Sequence, residues 1–184
     1  MPEASVTPDD VQRAAGAIRG AVHRTPTFTS RSLGPGRHLK AELFQRTGSF
    51  KARGALNRVR ALSPDERRAG VISVSAGNHA QALAWAAATE HLDALLVMWQ
   101  GASAAKIEAT RGYGAAVDLE APGPGAAFDH SMRVRKRATS LRRIAGTESS
   151  GASAPSTIPD SSAEYISAKA IGVGTAPKAR NTVG

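Results

Sequence analysis

Cysteine is absent from this 184-residue chain. That removes disulfides, thiolate metal centres, iron–sulfur clusters and a thiol nucleophile from consideration. Long hydrophobic runs are missing too. The longest, Ala82 to Ala88 and Ala94 to Trp99, fall well short of the roughly 18 apolar residues that would mark a bilayer-spanning helix. The opening "MPEASVTPDD" carries acidic residues and has none of the apolar stretch of a secretion signal. A soluble, cytoplasmic protein without membrane attachment is therefore expected. The five histidines (His23, His38, His79, His91 and His130) show no ligand spacing, so no metal site is expected, and no Ser/His/Asp arrangement stands out.

What is abundant is positive charge, a net +9. Its placement matters more than its size. From Ser131 onward there are nine Lys or Arg against three Asp or Glu, so +6 of the excess lies in the last 54 residues. Only 8 of those residues are Leu, Ile, Val or Phe, and no helical or strand period runs through them. Such a composition predicts a disordered, basic tail over 131–184.

The first 130 residues are organised differently. Thr7, Pro8 and Asp10 form a helix start of the capping-box kind, followed by Val11, Ala14, Ala15, Ile18 and Val22 on one face, which predicts an amphipathic helix packed on a neighbour. After the Gly/Pro loop "LGPGR" comes a strand candidate, His38 to Leu43. From Gly48 to Gly125 helices and strands alternate. A helix over Phe50 to Leu62 and a helix start at Ser63 are followed by strands "VISVS", "DALLVM" and "AAVDL", separated by helices "HAQALAWAAATEHL" and "SAAKIEATRGY". Short apolar strands joined by helices imply right-handed crossovers, hence an α/β fold with a parallel sheet covered by helices on both faces.

In such folds ligands bind where strands end and helices begin, because the first turn of a helix offers unbonded N–H groups and partial positive charge. "SVSAGNHAQ" lies at one such point, and Ser75, Gly77, Asn78 and His79 could surround a carboxylate or phosphate there, although an ordinary helix-capping turn has the same chemistry. "TGSFKARGA" has a similar shape. Thr47, Gly48 and Ser49 form a loop, and Lys51 falls in the first turn of the next helix. A helix N-terminus disfavours an ammonium, and attack on an aldehyde needs the neutral amine, so this lysine suits a Schiff base. Phe50 beside it could meet a ligand or simply fill the core. Arg53 and Asn57 are expected to be structural, and Leu83, Trp85 and Ala86 to Ala88 to pack their helix on the sheet.

Taken together, "LKAELFQRTGSFKARGALN", "VSAGNHAQALAWAA" and "GASAAKIEATRGYGAAV" resemble the N-terminal portion of the threonine dehydratases, or threonine ammonia-lyases. These are pyridoxal-phosphate enzymes of the tryptophan synthase β-like fold type, related to serine dehydratases and serine racemases. The resemblance covers about residues 10–130. It implies that 1–47 are an N-terminal fragment of the larger cofactor domain and 48–130 the small α/β domain. It also implies pyridoxal 5'-phosphate as cofactor, a small amino acid substrate (threonine or serine), and a homo-oligomer where the full fold forms. By the same resemblance Lys51 is the Schiff-base lysine and Phe50 lies against the cofactor ring. Asn78 hydrogen-bonds the ring hydroxyl, while Ser75, Ala76, Gly77 and His79 line the substrate carboxylate pocket. Racemases of this kind place a serine where this chain has Ala76, which favours elimination of the β-hydroxyl, giving a 2-oxo acid and ammonia.

The family's run of three or four glycines for the cofactor phosphate is missing. "GPGAA" at Gly123 to Ala127 and "GVGT" at Gly172 to Thr175 are the nearest candidates, and both read as turn or tail rather than as a strand-to-helix junction. The loss of pattern near "AAFDHSMRVRKR" leads us to expect a chain truncated or frame-shifted after about residue 130, weakly active or inactive. Two other readings stand beside this one: a non-catalytic remnant, and a nucleic-acid binder acting through "RVRKRATSLRR", 133–143. That run has no interleaved aromatics and matches no recognised motif, so a nucleic-acid partner is not expected.

Overall fold

The structure, a computed structural model, describes residues 6–144, with side chains described as far as 137. Of the tail expected over 131–184, residues 145–184, including "GVGT", lie outside the described residues.

Three parallel strands form the central sheet in the order β3 (Val71–Val74), β4 (Ala94–Trp99), β5 (Ala116–Ala121). The expected α/β class with a parallel sheet is what forms. Because strand side chains alternate, the sheet presents two apolar faces. Val71, Leu96 and Met98 point to one side, where α2 (Lys51–Arg60), α4 (Asn78–Thr89) and α5 (Ala104–Gly112) pack. Ile72, Leu95 and Val97 point to the other and are covered by Ala127 and Val134 of α6 (Pro124–Ile144). Ala80, Ala82, Ala84, Ala86 and Ala87 of α4 are all buried, and their small size lets α2 and the sheet approach closely from two sides. Leu83 is buried as expected, Trp85 is half-buried, and Ala88 faces solvent.

Helix α3 (Pro64–Ala69) begins with a complete capping box. Ser63 Oγ accepts the Glu66 amide, and the Glu66 carboxylate accepts the Ser63 amide at 2.8 Å. The α3–β3 junction then needs Gly70, whose φ is +76° and whose missing Cβ would sit 2.8 Å from the Asp93 carbonyl oxygen.

Four expectations are corrected. Helix α1 (Pro8–Ala17) has the Thr7–Asp10 capping box and lies against α2, but none of its own residues is buried: Val11 stays exposed, and the expected face meets the core past the helix end, through Ile18 with Val22 packed beside it. The strand expected over His38 to Leu43 stops at Lys40. It is β2 (His38–Lys40), paired antiparallel with β1 (Thr27–Thr29), and residues Glu42–Phe44 turn into a short 3₁₀ helix because Glu42 is drawn to Arg53 and Thr25. Neither ribbon strand buries a residue, and Phe28 and Leu39 face each other in solvent. The pattern does not end at residue 130 either. Helix α6 runs to Ile144, with Ser131 buried and Val134 packed on the sheet, while Arg133, Lys136 and Arg137 are exposed. Finally, Gly123 does stand at a strand-to-helix junction, between the end of β5 and the start of α6.

Candidate active site

The segment leading to Lys51 is held from several directions. Gln45 is buried and spans two chain segments: its side-chain oxygen accepts the amides of His23 (2.9 Å) and Arg46 (3.0 Å), and its side-chain nitrogen donates to the His23 carbonyl (2.9 Å). Arg53, one turn into α2, grips Glu42 with two donors, Nε at 2.9 Å and Nη2 at 2.8 Å, and Thr25 adds a hydroxyl at 2.6 Å. The paired guanidinium holds the Glu42 carboxyl below the usual carboxylate range, and Glu42 in turn raises Arg53. Arg53 is therefore structural, as its sequence position suggested. Gly48, at φ +69°, closes the turn by donating its N–H to the Gln45 carbonyl at 2.9 Å.

Lys51 is the first residue of α2 and half-buried, with its ammonium 5.4 Å from the centre of the Phe50 ring. Phe50 itself is 60% exposed, which rules out the core-filling alternative for that ring. Just before it lie two polar atoms out of place. The hydroxyl oxygens of Thr47 and Ser49 are buried and have no hydrogen-bond partner among the described residues. A buried hydroxyl left unpaired costs about 1–3 kcal/mol, so a native fold keeps one where something else will pair with it.

The second stretch follows β3. The Ser75 amide extends the ladder by donating to the Val97 carbonyl at 3.1 Å, and Ser75 Oγ accepts the Gly77 amide at 3.3 Å. Gly77 precedes α4 with open space where a side chain would stand. Asn78 is the exposed first residue of α4. Ser75, Ala76 and Gly77 are half-buried at the carboxyl end of the strand. His79 differs from the others: its ring is buried and its Nε2 lies 3.2 Å from Ser73 Oγ, so the imidazole turns into the molecule and its backbone N–H is what the first turn offers.

Helix packing relates the two stretches. Arg60, the last residue of α2, donates Nε to Glu90 at the end of α4 (2.7 Å). Arg67 adds Nη2 to the same carboxylate at 3.3 Å and to the Glu90 carbonyl at 3.0 Å. The tied C-termini and the packing of the two helices imply that α2 and α4 run in the same direction. At 1.5 Å per residue α2 rises about 14 Å from Lys51 to Arg60 and α4 about 18 Å from Asn78 to Glu90, so their N-termini fall within one turn of the same level. Helices α1 and α3 close their N-termini with capping boxes, whereas α2 and α4 have no side-chain cap, and neither does α5 behind Ser103. Two uncapped, positively polarised helix ends are thus reckoned to lie on the same side as the amine, the two unpartnered hydroxyls and the Asn78 turn. These residues fit the aldehyde-and-ring end of a pyridoxal cofactor and the carboxylate of an amino acid. Sequence reading missed Glu42, Gln45 and Glu90, single polar residues whose partners are distant along the chain.

A family model described as pyridoxal-phosphate dependent enzyme matches residues 18–156. An L-threo-3-hydroxyaspartate ammonia-lyase of a Pseudomonas species is 48% identical over 112 residues, covering 59% of this chain and 35% of that protein. An L-threonine ammonia-lyase of Thermotoga maritima is 40% identical over 136 residues, covering 72% of this chain and 34% of that one. Among solved structures, maize serine racemase superposes with a TM-score of 0.65 at 34% identity, over 70% of this chain and 40% of the racemase. The chain spans about a third of the length of the curated relatives it matches.

Proposed function

From the premise that the chain belongs to the family of pyridoxal-phosphate dependent enzymes, we propose that it carries the lysine-bearing part of an ammonia-lyase acting on threonine or serine. What supports this reading is the tie between the C-terminal ends of α2 and α4 through Arg60 and Glu90, from which the helix lengths put the N-termini that carry Lys51 and Asn78 at about one level. Pyridoxal phosphate, when bound, supplies an electron sink for the pair left behind at an amino acid's α-carbon. The protein's part is to bind, orient and move protons. Lys51 Nζ would hold the cofactor through its aldehyde and would serve as the base for the substrate's α-proton. Asn78 would orient the ring, with the exposed Phe50 ring available to lie against it. Ser75, Ala76, Gly77 and His79 would hold the substrate carboxylate, His79 through its backbone N–H, aided by the α4 dipole.

Elimination is favoured over racemisation because Ala76 offers no proton-bearing group for the opposite face of the α-carbon.

The test is spectroscopic. Adding pyridoxal phosphate to the full chain should produce a visible absorbance band that is absent in Lys51→Ala and weakened in Asn78→Ala. A band that survives Lys51→Ala would refute the assignment. With Gly123 at a junction and no run of three or four glycines in the sequence, cofactor affinity is expected to be low, because lost charge-assisted hydrogen bonds to phosphate cost about 1.5–3 kcal/mol each.

A further inference from the structure

One group of ligand-type side chains lies outside that site. Asp118 and Glu120 stand two residues apart on β5, and His130 reaches them from α6. His130 Nε2 lies 2.9 Å from Asp118 Oδ2 and 3.9 Å from Glu120 Oε2, and the three ligand atoms all fall within 4.8 Å of one another. We propose that Asp118, Glu120 and His130 bind a divalent transition-metal ion of the zinc class.

The geometry supports this in three ways. A tetrahedral zinc ion with bonds near 2.0–2.2 Å spaces its ligand atoms about 3.3–3.5 Å apart. The two observed separations bracket that value, so small side-chain rotations bring all three atoms onto one ion. The two inner ligands are already aimed: Asp118 Oδ1 accepts the Glu120 amide at 2.9 Å, which turns Oδ2 toward His130. A ligand carboxylate oriented by a second hydrogen bond is a common support of metal centres. Solvent access is also graded across the trio. The His130 and Asp118 side chains are only 11% and 16% exposed, while Glu120 is 82% exposed. An ion could therefore enter from the Glu120 side and keep its fourth position toward water. Two carboxylates balance a doubly charged cation, and the imidazole selects zinc-like ions over magnesium. Sequence spacing hides the trio, because twelve residues separate Asp118 from His130.

The site tests by titrating zinc sulfate into the purified full chain in a calorimeter, with magnesium sulfate as the control. Saturable one-to-one zinc binding is expected, at least tenfold weaker in Glu120→Gln, undetectable in His130→Gln, and unmatched by magnesium. Zinc should also raise the thermal midpoint of the wild type but not of His130→Gln. An absence of saturable binding, or equal affinity in Glu120→Gln, would overturn the proposal. Should His130→Gln unfold because it frees α6 from β5, the exposed Glu120 variant decides alone.

Discussion

Replacing Glu90 by glutamine removes the charge that ties α2 and α3 to the end of α4. In the native structure its carboxylate takes Arg60 at 2.7 Å and Arg67 at 3.3 Å, and is only 17% exposed. Hydrogen bonds to charged groups contribute about 1.5–3 kcal/mol each, but both arginines are about one-third exposed and glutamine still accepts one bond. The expected net loss at pH 7 is therefore about 1–3 kcal/mol, or about 4 °C in Tm for each kcal/mol in a domain of this size. Arg60 first, then Arg67, holds the Glu90 carboxyl below its ordinary value of 4.5. A depressed folded value means that the stabilisation is fully present above pH 4.5 and is lost as pH falls through the lower, folded value. Glutamine does not titrate. Urea unfolding of wild type and Glu90→Gln should therefore give a difference that is constant from pH 7 to about 5 and shrinks below that. A difference under about 0.5 kcal/mol at pH 7, or one equally large at pH 7 and 3.5, would refute the clamp.

Other perturbations have equally specific outcomes. Gly70→Ala places a Cβ 2.8 Å from the Asp93 oxygen at a φ of +76°, so a loss of about 1–3 kcal/mol is expected in thermal unfolding, with secondary structure unchanged below the transition. Glu42→Gln leaves Arg53 and Thr25 with a weaker acceptor and should destabilise by about 1–3 kcal/mol above pH 4.5. This loss also fades in acid, because Arg53 depresses the Glu42 carboxyl.

The alternation of strand and helix between Lys51 and Ala121 was legible because each element carries its own periodic signal: "ALLVM" is apolar without a break, and Ser63-Pro64-Asp65-Glu66 spells a capping box. Element ends fell within two residues of the expectation, except that α4 stops at Thr89, three residues before the expected Leu92. Elements with thin signals were not legible. β1 is three residues with no buried position, and among the side chains described along α6 the sheet meets Ala127 and Val134 while Arg133, Lys136 and Arg137 are exposed. A hydrophobic stripe that narrow cannot be told from a disordered basic segment by composition. At the site, Lys51 and Asn78 were visible through their neighbours in sequence. The polar residues that set them in place were not, since Gln45 to His23 and Glu90 to Arg60 are pairings that only the folded chain brings about.

The β1–β2 ribbon divides the molecule by rate. Two strands with no third partner and no buried side chain open by local fluctuation, whereas the amides between β3 and β4 are released only when the whole domain unfolds. Deuterium uptake should therefore finish early across Thr27–Lys40 and late across Val71–Val74. Within the described residues, a protease would cut first near the Phe28 and Leu39 pair, leaving the parallel sheet and its helices intact.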